Sequence, residues 1–168
     1  MRLKFLTATL VLAVTFVAQS VRAQEIVQWG TAGGWDILID KTLNNGCFMQ
    51  AEFQDGSLVR MGIDKEAGGG YVTAFNDAWG DIEDGGEYDI SFDLDGELYN
   101  GEAKGIYLAG APGADISFDS DDFFWDLMRK NVMTLIHDGE EVMTISLEGT
   151  YVGLEAVLQC QEEVDSLR

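Results

Sequence analysis

Proline occurs once in 168 residues, at Pro112, so the turns of this chain must be made by glycine, asparagine and aspartate. Histidine also occurs once, at His137, and cysteine only twice, at Cys47 and Cys160. One imidazole and two thiols leave a zinc site short of a fourth ligand of the usual type. No serine sits in a Gly-x-Ser-x-Gly elbow, so the sequence carries no α/β-hydrolase signature. Gly-Lys-Ser/Thr is absent, as is a Gly-x-Gly-x-x-Gly run opening a helix, and no nucleotide site is expected. Basic residues are scarce: ten stand against thirty acidic ones, for a formal charge of −20. A surface this negative excludes nucleic acid as a partner and disfavours anionic membranes. A hydrophobic content of 46% argues against disorder despite that charge.

The first residues have the parts of a secretory signal. Arg2 and Lys4 precede an apolar run from Phe5 to Ala18, and Val21-Arg22-Ala23 places small residues where signal peptidase reads. Residues 1–23 are expected to be a signal peptide, with cleavage before Gln24, or alternatively after Ser20. The apolar run is shorter than the ~20 residues of a spanning helix, and no later segment reaches that length. Residues 24–168 then form a single domain, periplasmic or secreted, with no stable membrane insertion after cleavage. Arg2, Lys4 and Arg22 leave with the leader, so seven basic residues face thirty acids and the charge becomes −23.

In an oxidising compartment, two cysteines without metal-ligand spacing read as a Cys47–Cys160 disulfide. Two separate buried thiols, or a zinc site that also recruits His137, are the alternatives.

Short segments rich in β-branched and aromatic residues predict strands over Ile26–Trp29, Trp35–Asp40, Cys47–Phe53, Ser57–Asp64 and Tyr71–Phe75. Further strands are expected over Glu87–Leu94, Glu102–Leu108, Val132–His137 and Glu140–Leu147. Glu87–Leu94 alternates most clearly, with Tyr88, Ile90, Phe92 and Leu94 on one face. Asp55-Gly56 and Asp138-Gly139 read as tight type I′ turns, and Asn44-Asn45-Gly46 as another turn. Two segments look helical. Asp119–Lys130 starts with acids and ends with Arg129 and Lys130, as the helix dipole favours. The last follows Thr150 as candidate cap and carries Leu154, Val157, Cys160 and Val164 on one stripe, with a polar end expected to fray from Gln161 onward. The fold class expected is mostly β, an antiparallel β-sandwich or flattened barrel with two short helices, the last one C-terminal.

Gly34-Trp35, Asn45-Gly46-Cys47-Phe48, Asp55-Gly56, Arg60-Met61-Gly62, Asn76 with Ala78-Trp79, and Tyr88 with Phe92-Asp93 form a scattered pattern. It closes with Ser146-Leu147-Glu148-Gly149-Thr150, Ala156 and Cys160. In this pattern the chain resembles a group of small exported proteobacterial proteins, and more distantly it is similar to the invasion-associated locus B proteins. That resemblance implies an exported domain with a disulfide and implies no reaction. Cysteine number and acidity depart from the distant family.

Chemistry-bearing residues are few. His137, at a strand end before Asp138-Gly139, reads first as a surface or cross-strand partner of Glu140. Trp29, Trp35, Trp79 and Trp125 are expected in the core rather than on a sugar platform. Asp81–Asp84, Asp93–Glu97 and Asp119–Asp122 are acidic clusters, none with the spacing of a twelve-residue calcium loop. The acidity reads in three ways: a solvated surface, steering toward a cationic partner, or calcium binding. No catalytic, cofactor-binding or metal-binding residue is assigned, no cofactor is expected, and oligomeric state is left open. The expected function is an exported, acidic, non-enzymatic binding module for a cationic protein or an envelope component. A carboxylate-based envelope hydrolase and a calcium-stabilised structural domain are the alternatives.

Overall fold

The alternation read in the sequence becomes ten antiparallel strands in one sheet. The computed structural model describes residues 26–64, 69–80, 82–118 and 126–167. The expected leader, the acids Asp81 and Asp119–Asp122, the start of the Asp119–Lys130 helix and Trp125 lie outside these residues.

The strands are β1 (Ile26–Ala32), β2 (Trp35–Asp40), β3 (Gly46–Glu52), β4 (Leu58–Asp64), β5 (Gly69–Phe75), β6 (Glu87–Leu94), β7 (Glu97–Leu108), β8 (Ala111–Phe118), β9 (Val132–His137) and β10 (Glu140–Ser146). A helix, α1, spans Thr150–Ser166. A single helical turn covers 126–129, and a 3-10 turn covers Asp77–Trp79. The sheet order is β1-β2-β3-β4-β5-β8-β7-β6-β9-β10, with β1 and β10 at its edges, so it is not closed into a barrel.

One strand went unforeseen. β8 contains Pro112 and Gly113 and follows Gly110, a composition that argues against a strand. Proline is tolerated because it stands at the strand start. Gly113 is required because the Phe75 ring lies over it, where an added Cβ would come within 2.3 Å of the ring. Turn chemistry also sorts by backbone. Asp138 and Gly139 both adopt positive φ, as a type I′ turn needs. At Asp55-Gly56 only the glycine does. The connection there is longer, with the Asp55 carboxylate accepting from the Ser57 backbone and hydroxyl.

The inward residues form one core. Ile37, Met49, Val59, Met61 and Val72 from β2 to β5 join Phe92, Leu94, Met133 and Ile145 from β6, β9 and β10. α1 packs chiefly on β1 to β4. The β6, β9 and β10 residues are as deeply buried in the same cluster, which also takes in Leu127 and Met128 of the 126–129 turn.

α1 is seated by small residues. Gly153 rests on Met49 and Trp35, where a Cβ would meet the Met49 sulfur at 2.7 Å. Gly149, just before the helix, and Gly33, in the β1–β2 turn, both have positive φ and touch backbone to backbone. A Cβ on Gly149 would lie 1.9 Å from the Gly33 carbonyl oxygen. Thr150, the expected cap, does not cap: it is the first helical residue, fully buried, with its hydroxyl unpartnered, and Gly149 holds the cap position without a side chain. The polar end does not fray at Gln161. That residue is buried, its side-chain carbonyl accepts from the Cys47 N–H at 3.0 Å, and the helix continues to Ser166.

Candidate functional site

Cys47 and Cys160 are bonded, with Cα atoms 6.1 Å apart, tying α1 to the start of β3. The bond fits a location outside the reducing cytoplasm. Among the described residues, no helix is long and apolar enough to cross a membrane.

The other sequence candidates serve the fold. His137 pairs across the hairpin with Glu140, as expected, but its ring Nδ1 lies 2.9 Å from the Asp89 carbonyl oxygen and packs edge-on to Tyr88. Trp35 is buried in the core. Trp29 is partly buried and donates from Nε1 to Glu163 of α1, and Trp79 is also partly buried. In the acidic stretch Asp93–Glu97, Asp93 accepts from the Gly96 N–H, and both Asp95 carboxylate oxygens accept from the Asn131 and Val132 backbone and the Asn131 amide. Those bonds hold the Asp95 carboxyl below its ordinary pKa, the Asn131 N–H contributing most. Glu97 is held low chiefly by its hydrogen bond from Lys130. Among the described residues, no three His, Cys, Asp or Glu side chains are grouped to hold a metal ion.

A groove lies on the outward face of β3, β4, β5, β8 and β7. Strand register places Asp36, Gln50, Arg60, Thr73, Asp115, Lys104 and Glu87 opposite one another in succession. They form one polar row running across seven strands. Large side chains flank it. On one side are Phe48, Gly62, Tyr71 and Ser117; on the other are Leu58, Phe75, Gly113 and Ile106. Tyr71 lies over Gly62, as Phe75 lies over Gly113, so these rings line a groove rather than standing across it. The β2–β3 turn, including Leu43 and Asn44, and the end of β4 at Ile63 and Asp64 supply further wall. The groove has a volume of about 500 Å³. That is within the usual range of small-molecule sites.

Three groups at its centre are held but not paired. The Arg60 guanidinium stacks between Phe48 (5.2 Å to the ring centroid) and Phe75 (5.9 Å), and its Nε donates to Gln50 at 2.8 Å. Its two terminal nitrogens make no hydrogen bond or ion pair to any described residue. Thr73 is only 8% exposed and its hydroxyl has no partner. Asp115 is half-buried and its carboxylate makes no hydrogen bond to a described residue. Burial, then the neighbouring Asp64, raises its pKa, against a smaller pull from Lys104. Burial likewise lowers the Arg60 pKa and raises that of the Tyr71 hydroxyl. Asp40, at the groove's edge, is by contrast committed to the backbone N–H and hydroxyl of Thr42.

A second cavity, about 370 Å³, opens among Trp79, Ile82, Tyr88, Leu135, His137 and Val142. It is largely apolar. The Tyr88 hydroxyl accepts from the Glu83 N–H and the His137 Nδ1 lies against the Asp89 carbonyl oxygen, so both polar groups already help to hold the fold.

Arg60 was visible in the sequence as an outward position between the inward Val59 and Met61, and Thr73 likewise between Val72 and Ala74. Their juxtaposition with Asp115 depends on β5 pairing with β8, which no local pattern reveals.

No protein-family model matches the chain, and no curated protein matches it. Among solved structures, the crystal structure of invasion-associated protein B from Bartonella henselae is similar, with a TM-score of 0.58 and 14% identity over 79% of this chain and 96% of that one. At that identity the likeness is one of fold: this chain has the architecture of the Bartonella protein, as the scattered residue pattern led one to expect.

Proposed function

We propose that this chain is an exported, periplasmic or secreted binding module that works without catalysis, taking a component of the cell envelope into the outward groove. One observation carries the reading: Arg60, Thr73 and Asp115 stand side by side in a preformed groove with hydrogen-bonding capacity that no described residue uses. Leaving a buried polar group unpaired costs on the order of 1–3 kcal/mol. Such a cost is expected where a ligand completes the bonds. The acidic exterior keeps the domain soluble and repels free anions.

Native mass spectrometry of the mature protein, after exposure to envelope extract, tests this. The wild type should retain a non-covalent small-molecule adduct that Arg60→Gln loses. Equal spectra for the two proteins would overturn the reading.

A second reading, a carboxylate-based hydrolase, is favoured by Asp115 and Asp64 lining the same groove, where burial and then the Asp64 charge raise the Asp115 pKa. Multiple turnover of an envelope substrate, abolished by Asp115→Asn, would establish it in place of simple binding.

A further inference from the structure

The three unpaired groups differ in kind and follow one another in a fixed order. Arg60 on β4 is a cation whose two terminal nitrogens bond no described residue. Thr73, directly opposite on β5, is a hydroxyl. Asp115, next in line on β8, is a carboxylate. Adjacent strands are roughly 4.8 Å apart, so the backbones carrying Arg60 and Asp115 are separated by about 10 Å with Thr73 between them. That gap stays open because Gln50 and the Phe48 and Phe75 rings hold the Arg60 guanidinium, which makes no ion pair with Asp115. It suits a guest that offers an anionic group and a cationic group about 3 Å apart, each at about hydrogen-bonding distance from its host.

Charge narrows the guest further. A simple anion would meet Arg60 but would approach a chain of formal charge −20 and lie beside Asp115. A simple cation would meet Asp115 but would lie beside Arg60, which stays charged because guanidinium does not titrate in the working range. A zwitterion carries no net charge and satisfies both ends. Around the row the groove is apolar, with Phe75, Ile106, Leu108 and Leu43 available to a hydrocarbon or aromatic substituent.

We infer that the groove takes a free α-amino acid with an apolar or aromatic side chain, its carboxylate on Arg60 and the Thr73 hydroxyl, its ammonium on Asp115. This rests on the groove being the binding site and adds the chemical class of its guest. Arg60 is well suited to the first role, because Gln50 and the two phenylalanine rings fix the guanidinium plane before the ligand arrives. Thr73 donates its otherwise idle proton to the same carboxylate. The ammonium replaces what Asp115 lacks, a donor in contact.

The test is calorimetric titration of the mature protein with L-phenylalanine, N-acetyl-L-phenylalanine and L-phenylalaninamide. The free amino acid should bind, and removing either charge should weaken binding about tenfold or more. Arg60→Gln and Asp115→Asn should each lose it by a similar factor. Thr73→Val should weaken it less while raising the melting temperature of the unliganded protein, a rise that a merely structural threonine would not give. N-acetyl-phenylalanine binding as tightly as the free amino acid would overturn the zwitterion in favour of a plain anion site. No binding of any of the three, with Arg60→Gln still losing its envelope adduct, would overturn the ligand class and leave the groove standing. If Arg60→Gln also leaves the adduct unchanged, the binding reading falls with it.

Discussion

On the inward face of β3, β4 and β5, the side chains of Met49, Val59, Met61, Val72 and Ala74 are fully buried against the rest of the core, and α1 packs over β3 and β4. On the outward face of the same three strands, Gln50, Arg60 and Thr73 stand between aromatic rings, with donors left over. The inward face follows the rules of stability: apolar, close-packed, with a helix seated on glycine and a disulfide pinning that helix. The outward face breaks them, by half-burying a guanidinium and a carboxylate and by orphaning a hydroxyl. Because neighbouring residues on one strand serve both faces, the two demands are met by the two-residue period of the strand rather than by separate domains. Substitutions on the inward side should therefore cost stability. Those on the outward side should cost binding and gain stability.

The largest effect expected on the inward side is loss of the disulfide. Cys47→Ser/Cys160→Ser opens a loop with a sequence separation of 113 residues. It should lower unfolding stability by about 2–5 kcal/mol in chemical denaturation. Next is Gly149→Ala, which puts a Cβ into the Gly33 carbonyl at a positive-φ position. It should cost about 2 kcal/mol or more, read as a lower denaturation midpoint at unchanged slope.

Asp95→Ala frees the Asn131 and Val132 N–H groups and should lower the melting temperature by less. Its folded pKa is depressed, so the carboxylate's contribution is present above the unfolded pKa of about 3.9 and is lost as pH falls through the folded value. The Asp95→Ala penalty should accordingly shrink in acid.

Asp115 has the opposite sign. Its folded pKa is raised, so ionised Asp115 weighs against the fold above the unfolded pKa and is relieved as pH falls through the folded one. Asp115→Asn should thus raise the melting temperature at pH 7 and make less difference in acid, as a pH series of thermal melts would show.

Much of the inward face was legible in the sequence. Nine strands are foreshadowed by alternation such as Tyr88-x-Ile90-x-Phe92-x-Leu94, and the helical stripe carried Cys160 to the side that meets Cys47. β8 was not legible, because Pro112 and Gly113 are read as breakers until one sees that Pro112 is only the second residue of the strand and Gly113 makes room for Phe75. Gln161 looked like the start of a frayed end, and only the fold reveals the Cys47 N–H that needs its carbonyl. The groove was hidden for a deeper reason. Its row is assembled across strands out of sequence order, and a register shift of one residue would turn Arg60 or Thr73 inward. Composition offered one hint, a basic residue in an acidic chain placed on the outward side of a strand, but a strand face says nothing about its neighbours.

Thr73→Val is the most direct measure of whether the outward row is kept for binding. It removes one oxygen from a site with no partner and nearly preserves shape. Urea unfolding of the ligand-free variant should show a gain of about 1 kcal/mol over the wild type, alongside weaker uptake of ligand. A ligand-free protein made less stable by that change would mean that the hydroxyl already has a structural use, and the contrast between the two faces would fail.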